Sequence, residues 1–129
     1  DALMVTFNKR GDQPDHALRA ARAGLDLQEA TGAEAASHPS WPRFRVGINT
    51  GPVSVSVLGT RGGRTHTVIG DTVNTASRIE GIAGAGEVAI SAATQAKLPG
   101  AVTRSLGPVA LKGKTEAPEA FVLVSLPDR

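Results

Sequence analysis

The spacing of apolar and polar residues changes several times along the chain, and each change predicts a new element. Residues 2–7 form a short apolar run that predicts a buried strand. Apolar residues then recur at helical spacing from Pro14 to about Ala30, and residues 31–42 are expected to form the helix tail and a loop. Polar and apolar residues alternate on both sides of the turn that follows, so residues 43–58 are predicted to form a β-hairpin.

The second half of the chain adds one longer helix and several strands. A glycine-rich stretch at residues 59–66 is predicted to be a flexible loop, and residues 65–69 resume an extended path. Asp71 is placed to cap a helix over about residues 72–82, and Ser91 is placed to cap a shorter one. Further strands are expected at residues 84–91, 101–106, 108–111 and 120–126, with a turn at residues 112–118. The order predicts an α+β fold with a mixed or antiparallel sheet and helices on one face.

Composition narrows the functional classes. Of the 129 residues 40% are apolar and 20% are charged, which is ordinary for one globular domain. A net charge of +2, with 3% aromatic residues and no tyrosine, disfavours a module that binds nucleic acid by stacking bases on exposed rings. The absence of cysteine excludes disulfides, thiol nucleophiles and cysteine zinc sites, and the three histidines lack the spacing of metal ligands.

One helix-sized segment, residues 65–80, is especially dense in polar functional groups. On a helix that begins near Asp71, Asn74 and Arg78 are four residues apart and project from the same face. An amide can orient a sugar and a guanidinium can form paired hydrogen bonds with phosphate, so the two together suit a nucleotide. On spacing alone, the simpler interpretation is a solvent-facing helix in which Arg78 pairs with Asp71 or Glu80.

Three blocks of sequence resemble the second half of the class III adenylyl/guanylyl cyclase catalytic domain. The blocks are FRVGINTGPVSVSVLG, THTVIGDTVNTASRIE and VALKGKTEAPEAFVLV; they stand in the family's order, and the second is close to a family signature. The resemblance implies a ferredoxin-like βαββαβ fold that forms a head-to-tail homodimer with active sites at the interface. It also implies that residues 1–129 form a single catalytic domain lacking its N-terminal strand and helices, with a sensor or membrane region fused outside this segment.

The resemblance assigns roles to five residues. Asp1, in DALMVTF, matches one of two aspartates that bind two divalent cations, Mg²⁺ or Mn²⁺, and the other aspartate and an adenine-reading lysine are expected upstream. Thr67 matches a purine-contacting position and, as a threonine, favours ATP over GTP. Asn74 matches the asparagine that orients the ribose, and Arg78 matches the arginine that stabilises charge on the α-phosphate. Lys112 matches a lysine that contacts the terminal phosphates.

The favoured hypothesis is therefore an adenylate cyclase that converts ATP to 3′,5′-cyclic AMP and pyrophosphate, facing the cytoplasm where ATP is found. Two alternatives stay open. One is a noncatalytic cyclase-like module that binds nucleotide or a partner and regulates a larger protein. Such modules usually lose a metal, asparagine or arginine position, whereas Asp1, Asn74 and Arg78 are all present here. The other is a guanylate cyclase, which Thr67 disfavours.

Overall fold

The architecture comes from a computed structural model, which describes residues 3–7, 14–41, 43–52, 54–60, 63–109 and 119–127. For residues 54–60 and 63–69 the description covers the backbone. The helices in these ranges are α1 (His16–Ser37), α2 (Asp71–Ile82) and α3 (Ala92–Gln95). The strands are β1 (Val46–Ile48), β2 (Ser54–Thr60), β3 (Gly63–Ile69), β4 (Val88–Ser91), β5 (Val102–Pro108) and β6 (Glu119–Ser125).

Four of the strands form one mixed sheet in the order β1-β4-β6-β5. β1 and β4 are parallel, with Val46 opposite Val88 and Ile48 opposite Ile90. β6 runs antiparallel to both β4 and β5. β2 and β3 form a separate antiparallel pair. A mixed sheet with helices packed on it confirms the predicted α+β class.

Helices α1 and α2 pack on opposite faces of the four-stranded sheet. On β1, Val46 and Ile48 contact α1 near Gly24, whereas Gly47, between them, lies against the backbone of α2. The buried cluster on the α1 side consists of Ala17, Ala21, Val88, Ile90, Leu98 and Leu123. The buried cluster on the α2 side consists of Ile79, Ala83, Ala89, Val109 and Ala120. The expectation that the helices lie on one face is wrong, because β1 and β4 are apolar on both faces and each face requires a cover.

The hairpin predicted for residues 43–58 is also wrong. Residues 46–48 pair in parallel with β4, and residues 54–60 pair instead with residues 63–69. Alternation along a strand reports its two faces but does not reveal which strand lies beside it, so the prediction joined neighbours in sequence. The flexible loop predicted for residues 59–66 is wrong as well, because the described residues of that range lie in β2 and β3.

One element near the start of the chain differs from expectation. Residues 3–7 belong to no strand, and the side chain of Leu3 is 89% exposed. An apolar run becomes a strand only when a neighbouring strand accepts its backbone hydrogen bonds. α1 ends at Ser37, in agreement with the helix tail and loop predicted for residues 31–42, because the alanine-rich segment beyond Gly32 favours helix.

The later elements agree better with their predictions. α2 begins at Asp71 and ends at Ile82, within one residue of the predicted range. Ser91 caps α3 as predicted, since its Oγ accepts a hydrogen bond from the backbone N–H of Thr94 at 3.1 Å. β4, β5 and β6 overlap the strands predicted at 84–91, 101–106 and 120–126. The turn predicted at residues 112–118 lies outside the described residues.

Candidate functional site

A glycine makes the change of direction from β3 into α2. Gly70 precedes the helix with φ of 131°, a conformation that residues with a side chain rarely adopt. Its carbonyl oxygen accepts the backbone N–H of Asn74 at 3.2 Å and so closes the first turn. Asp71, expected to be the cap, is instead the first helical residue, where a carboxylate interacts favourably with the helix dipole.

The middle of α2 lies directly on β1 at Gly47. A Cβ atom at this position would lie 2.6 Å from the carbonyl oxygen of Ala76 and 2.7 Å from Cα of Glu80. Since both are backbone atoms of the helix, a residue with a side chain does not fit between strand and helix. Thr75 and Ile79 are 6% and 1% exposed on the buried side of α2. This contact therefore sets the distance between the helix and the sheet.

The first turn of α2 is held by the segment that follows β1. Asn49 Nδ2 donates a hydrogen bond to the carbonyl oxygen of Thr72 at 3.0 Å. In return, Thr72 Oγ1 donates to the carbonyl oxygen of Pro52 at 2.6 Å. A Cβ atom on Gly51 would lie 2.7 Å from Thr72 Oγ1, so the backbone approaches the threonine closely. Sequence reasoning missed Asn49 and Thr72, and the available signal was a polar residue directly after an alternating strand.

Hydroxyl groups anchor the same segment to α3. Thr50 Oγ1 and Thr94 Oγ1 share a hydrogen bond of 2.8 Å, and Ser91 Oγ donates to Thr94 Oγ1 at 3.1 Å. Thr94 is 0% exposed and Ser91 is 3% exposed, so these polar groups are buried with their hydrogen bonds formed. The segment after β1 is therefore hydrogen-bonded to α2 on one side and to α3 on the other.

Asn74 and Arg78 are exposed, one helical turn apart, on the face of α2 that points away from the sheet. The ion pairs found in the described ranges are Arg19–Asp15 and Arg104–Glu87. Within those ranges Arg78 belongs to neither ion pair, and its exposed position agrees with the solvent-facing helix of the simpler interpretation. The predicted pair of functional side chains does share one surface.

The other predicted site residues are described in part or not at all. Thr67 lies on β3, with its backbone opposite Ser56 of β2. Asp1 and Lys112 lie outside the described residues. In the described parts of the chain, no three Asp, Glu or His side chains come together as a group that could hold a metal ion. The predicted cation site therefore stays a prediction that depends on Asp1.

A family model described as the adenylate and guanylate cyclase catalytic domain matches residues 1–125. The chain belongs to this family. The cyclase domain is 37% identical over 120 residues to atrial natriuretic peptide receptor 2 of Homo sapiens, and the match covers 88% of this chain and 11% of the receptor. The chain thus spans about a tenth of the length of that curated relative.

Two solved structures of nucleotide cyclases share the fold of this cyclase domain. The adenylyl cyclase CyaB from P. aeruginosa has a TM-score of 0.79 and 26% identity, with 94% of this chain and 66% of that chain covered. The guanylate cyclase domain of RhGC from Catenaria anguillulae, in complex with GTP, has a TM-score of 0.76 and 29% identity. The match covers 94% of this chain and 66% of that chain. These likenesses confirm the predicted cyclase fold, and the relatives include cyclases of both kinds. No helix among the described residues of the cyclase domain has the length and hydropathy required to cross a bilayer.

Proposed function

We propose that this cyclase domain is an adenylate cyclase that converts ATP to 3′,5′-cyclic AMP and pyrophosphate and faces the cytoplasm, where ATP is found. The proposal depends on one observation, the exposure of Asn74 and Arg78 on one face of α2. Among the described residues no ion pair occupies the Arg78 guanidinium. Its forked donors are therefore available to a phosphate group.

In the proposed reaction, the ribose 3′ oxygen attacks the α-phosphorus of ATP. A new phosphorus–oxygen bond forms, and the bond from the α-phosphorus to the bridging oxygen of pyrophosphate breaks. Pyrophosphate leaves with the bonding electron pair, and the proton of the 3′-hydroxyl passes to solvent. Asn74 orients the ribose, and Arg78 donates hydrogen bonds to the α-phosphate oxygens on which charge builds. Loss of one preorganised donor of this kind typically costs about 10²–10³ in rate.

Three further residues complete the proposed site. Thr67 contacts adenine through its hydroxyl, Lys112 contacts the terminal phosphates, and Asp1 offers a carboxylate to the divalent cations. Carboxylate oxygen is the donor that Mg²⁺ and Mn²⁺ prefer, so Asp1 fits as one ligand. When bound, such cations neutralise charge on the triphosphate. The proposal requires a second carboxylate beside Asp1; the described residues contain no group of three Asp, Glu or His side chains that could hold a metal ion.

The complete site is proposed to lie at the interface of a homodimer. In this arrangement, Asp1 of one chain meets Asn74 and Arg78 of the other. The resemblance to the cyclase family supports the arrangement, and so does the position of the two side chains on an outer surface of α2. Each dimer would then contain active sites to which both chains contribute.

A guanylate cyclase is the second candidate. It is favoured by the likeness to the Catenaria domain, whose structure is in complex with GTP. The opposing consideration is Thr67, which in the cyclase family favours ATP.

Product formation from ATP and GTP by the full-length protein, with Mg²⁺ or Mn²⁺, tests the proposal. We expect cyclic AMP to be the main product, and we expect Arg78→Ala and Asn74→Ala each to lower kcat by about 10²-fold or more. Arg45→Ala is the matched control, since Arg45 is an exposed arginine that lies outside α2, in front of β1. Cyclic GMP as the main product would support the second candidate. A folded, dimeric protein that forms neither product would support the noncatalytic module.

A further inference from the structure

We propose that Asn49 and Thr72 are positioning residues that hold the first turn of α2, so that Asn74 and Arg78 keep a fixed place in the active site. The inference rests on the function proposed above and extends it to residues to which no role has been assigned. We use the name α2 clamp for two hydrogen bonds, from Asn49 Nδ2 to the carbonyl oxygen of Thr72 and from Thr72 Oγ1 to the carbonyl oxygen of Pro52.

The two hydrogen bonds of the α2 clamp run in opposite directions between the same two segments. Asn49 donates to the helix at 3.0 Å, and the helix donates back to Pro52 through Thr72 at 2.6 Å. A single hydrogen bond acts as a pivot, whereas two bonds at different points also restrict rotation of the helix about its axis. Asn49 and Thr72 are both half-buried; the bond from Asn49 to Thr72 is partly shielded from water, whereas the bond from Thr72 to Pro52 lies at the surface.

The segment that carries one half of the α2 clamp is itself held firmly. β1 pairs with β4 up to Ile48, directly before Asn49. Thr50 is then hydrogen-bonded at 2.8 Å to Thr94, which is fully buried. Asn49 therefore extends from a platform attached to the central sheet, and a helix bonded to that platform takes its position from the sheet.

Asn74 lies two residues after Thr72, and Arg78 follows one turn later. Gly47 already prevents the middle of α2 from moving toward the sheet, because the backbone of Ala76 lies against it. The motion that remains is a tilt or rotation at the start of the helix, and the α2 clamp opposes this motion. A displacement of about 1 Å at a reacting group can cost on the order of 10² in rate, so the α2 clamp acts on catalysis without touching substrate.

Steady-state kinetics of the full-length protein with Asn49→Ala and with Thr72→Val test this inference. Each substitution removes a different hydrogen bond of the α2 clamp, and Thr72→Val keeps the shape of the side chain. We expect kcat to fall about tenfold to a hundredfold, with a much smaller change in KM, because the loss concerns transition-state geometry. Thr72→Ser, which retains the hydroxyl, is expected to restore most of the lost rate.

Gln95→Ala is the matched control. It removes a half-buried hydrogen bond of similar length, from Gln95 Nε2 to Thr103 Oγ1 at 3.0 Å, which joins α3 to β5 and is not part of the α2 clamp. We expect a comparable loss of thermal stability in Gln95→Ala and Asn49→Ala, but a lower kcat in Asn49→Ala alone. Equal losses of kcat in both would show a general effect of stability and would overturn the inference.

Combination with Arg78→Ala separates positioning from any other effect of Asn49. If Asn49 acts through the position of the α2 side chains, Asn49→Ala should lower kcat far less in the Arg78→Ala background than in the wild type. Equal effects in both backgrounds would contradict the inference.

The single variants distinguish the α2 clamp from the proposed function. If Arg78→Ala is inactive but Asn49→Ala and Thr72→Val are fully active, the role of the α2 clamp is overturned and the proposed function is not. An active Arg78→Ala would overturn the proposed function, and the inference with it. If Asn49→Ala fails to fold, Thr72→Val and Thr72→Ser provide the same tests.

Discussion

Replacement of Gly47 by alanine should displace α2 and lower the proposed cyclase activity. The new Cβ would lie 2.6 Å from the carbonyl oxygen of Ala76 and 2.7 Å from Cα of Glu80, whereas ordinary contacts begin at 3.4 Å. The backbone nitrogen of Glu80 would lie closer still, so strand and helix must separate by more than the 0.8 Å between 3.4 and 2.6 Å. The obstructing atoms belong to the helix backbone, and no side-chain rotation can relieve the clash.

The size of the effect follows from this separation. Overpacking of a well-packed interior typically costs about 1–3 kcal/mol, and a backbone clash belongs at the upper end of that range. For a domain of this size, a loss of about 3 kcal/mol lowers Tm by roughly 10 °C. Because the displaced helix carries Asn74 and Arg78, we also expect kcat to fall by on the order of 10²-fold in molecules that remain folded.

Gly81→Ala provides a matched control on the same helix. A Cβ at Gly81 would have no neighbouring atom within 4 Å outside its own helical backbone, and alanine favours helix by about 1 kcal/mol over glycine. Thermal unfolding, hydrogen exchange over residues 71–82 and cyclase activity should be measured for both variants in the full-length protein. A Gly47→Ala enzyme with wild-type stability and activity would refute the proposed dependence of the site on this contact.

Three smaller effects follow from other parts of the fold. Ser91→Ala should lower the free energy of unfolding by about 1 kcal/mol, because the N-cap bond to Thr94 is lost; urea denaturation would measure it, and an unchanged midpoint would contradict the capping role. Arg104→Ala should change stability by less than about 1 kcal/mol, since its 2.7 Å pair with Glu87 is substantially exposed; a larger loss that persists in high salt would be inconsistent with this. Gly107→Ala should lower the free energy of unfolding by about 1 kcal/mol through backbone strain alone, because φ is 83° and a Cβ would have no neighbour within 4 Å. Gly107→Asn, measured in the same way, should lower it less, because asparagine tolerates this conformation better.

Features that depend on a few neighbouring residues could be predicted from the order of amino acids alone. The boundaries of α2, the shared face of Asn74 and Arg78, and the cap at Ser91 were all predicted from spacing within one or two helical turns. Helical periodicity and capping act over three or four residues, so the relevant residues can be recognised together in the sequence. The resemblance to the cyclase family, which the family model confirms, added the fold and the proposed roles.

Strand pairing and the support of the site depend on contacts between residues far apart in the sequence, and these contacts form only in the folded chain. β1 was expected to pair with its neighbour in sequence, yet it lies beside β4, and this pairing places Gly47 under α2. The bond from Asn49 to Thr72 joins residues that are distant in sequence, and no local pattern announces it. An alternating strand has two faces and two edges, and its sequence specifies the faces. The edges are assigned when the whole sheet assembles with a helix on each side, and that assembly places Asn74 and Arg78 in space.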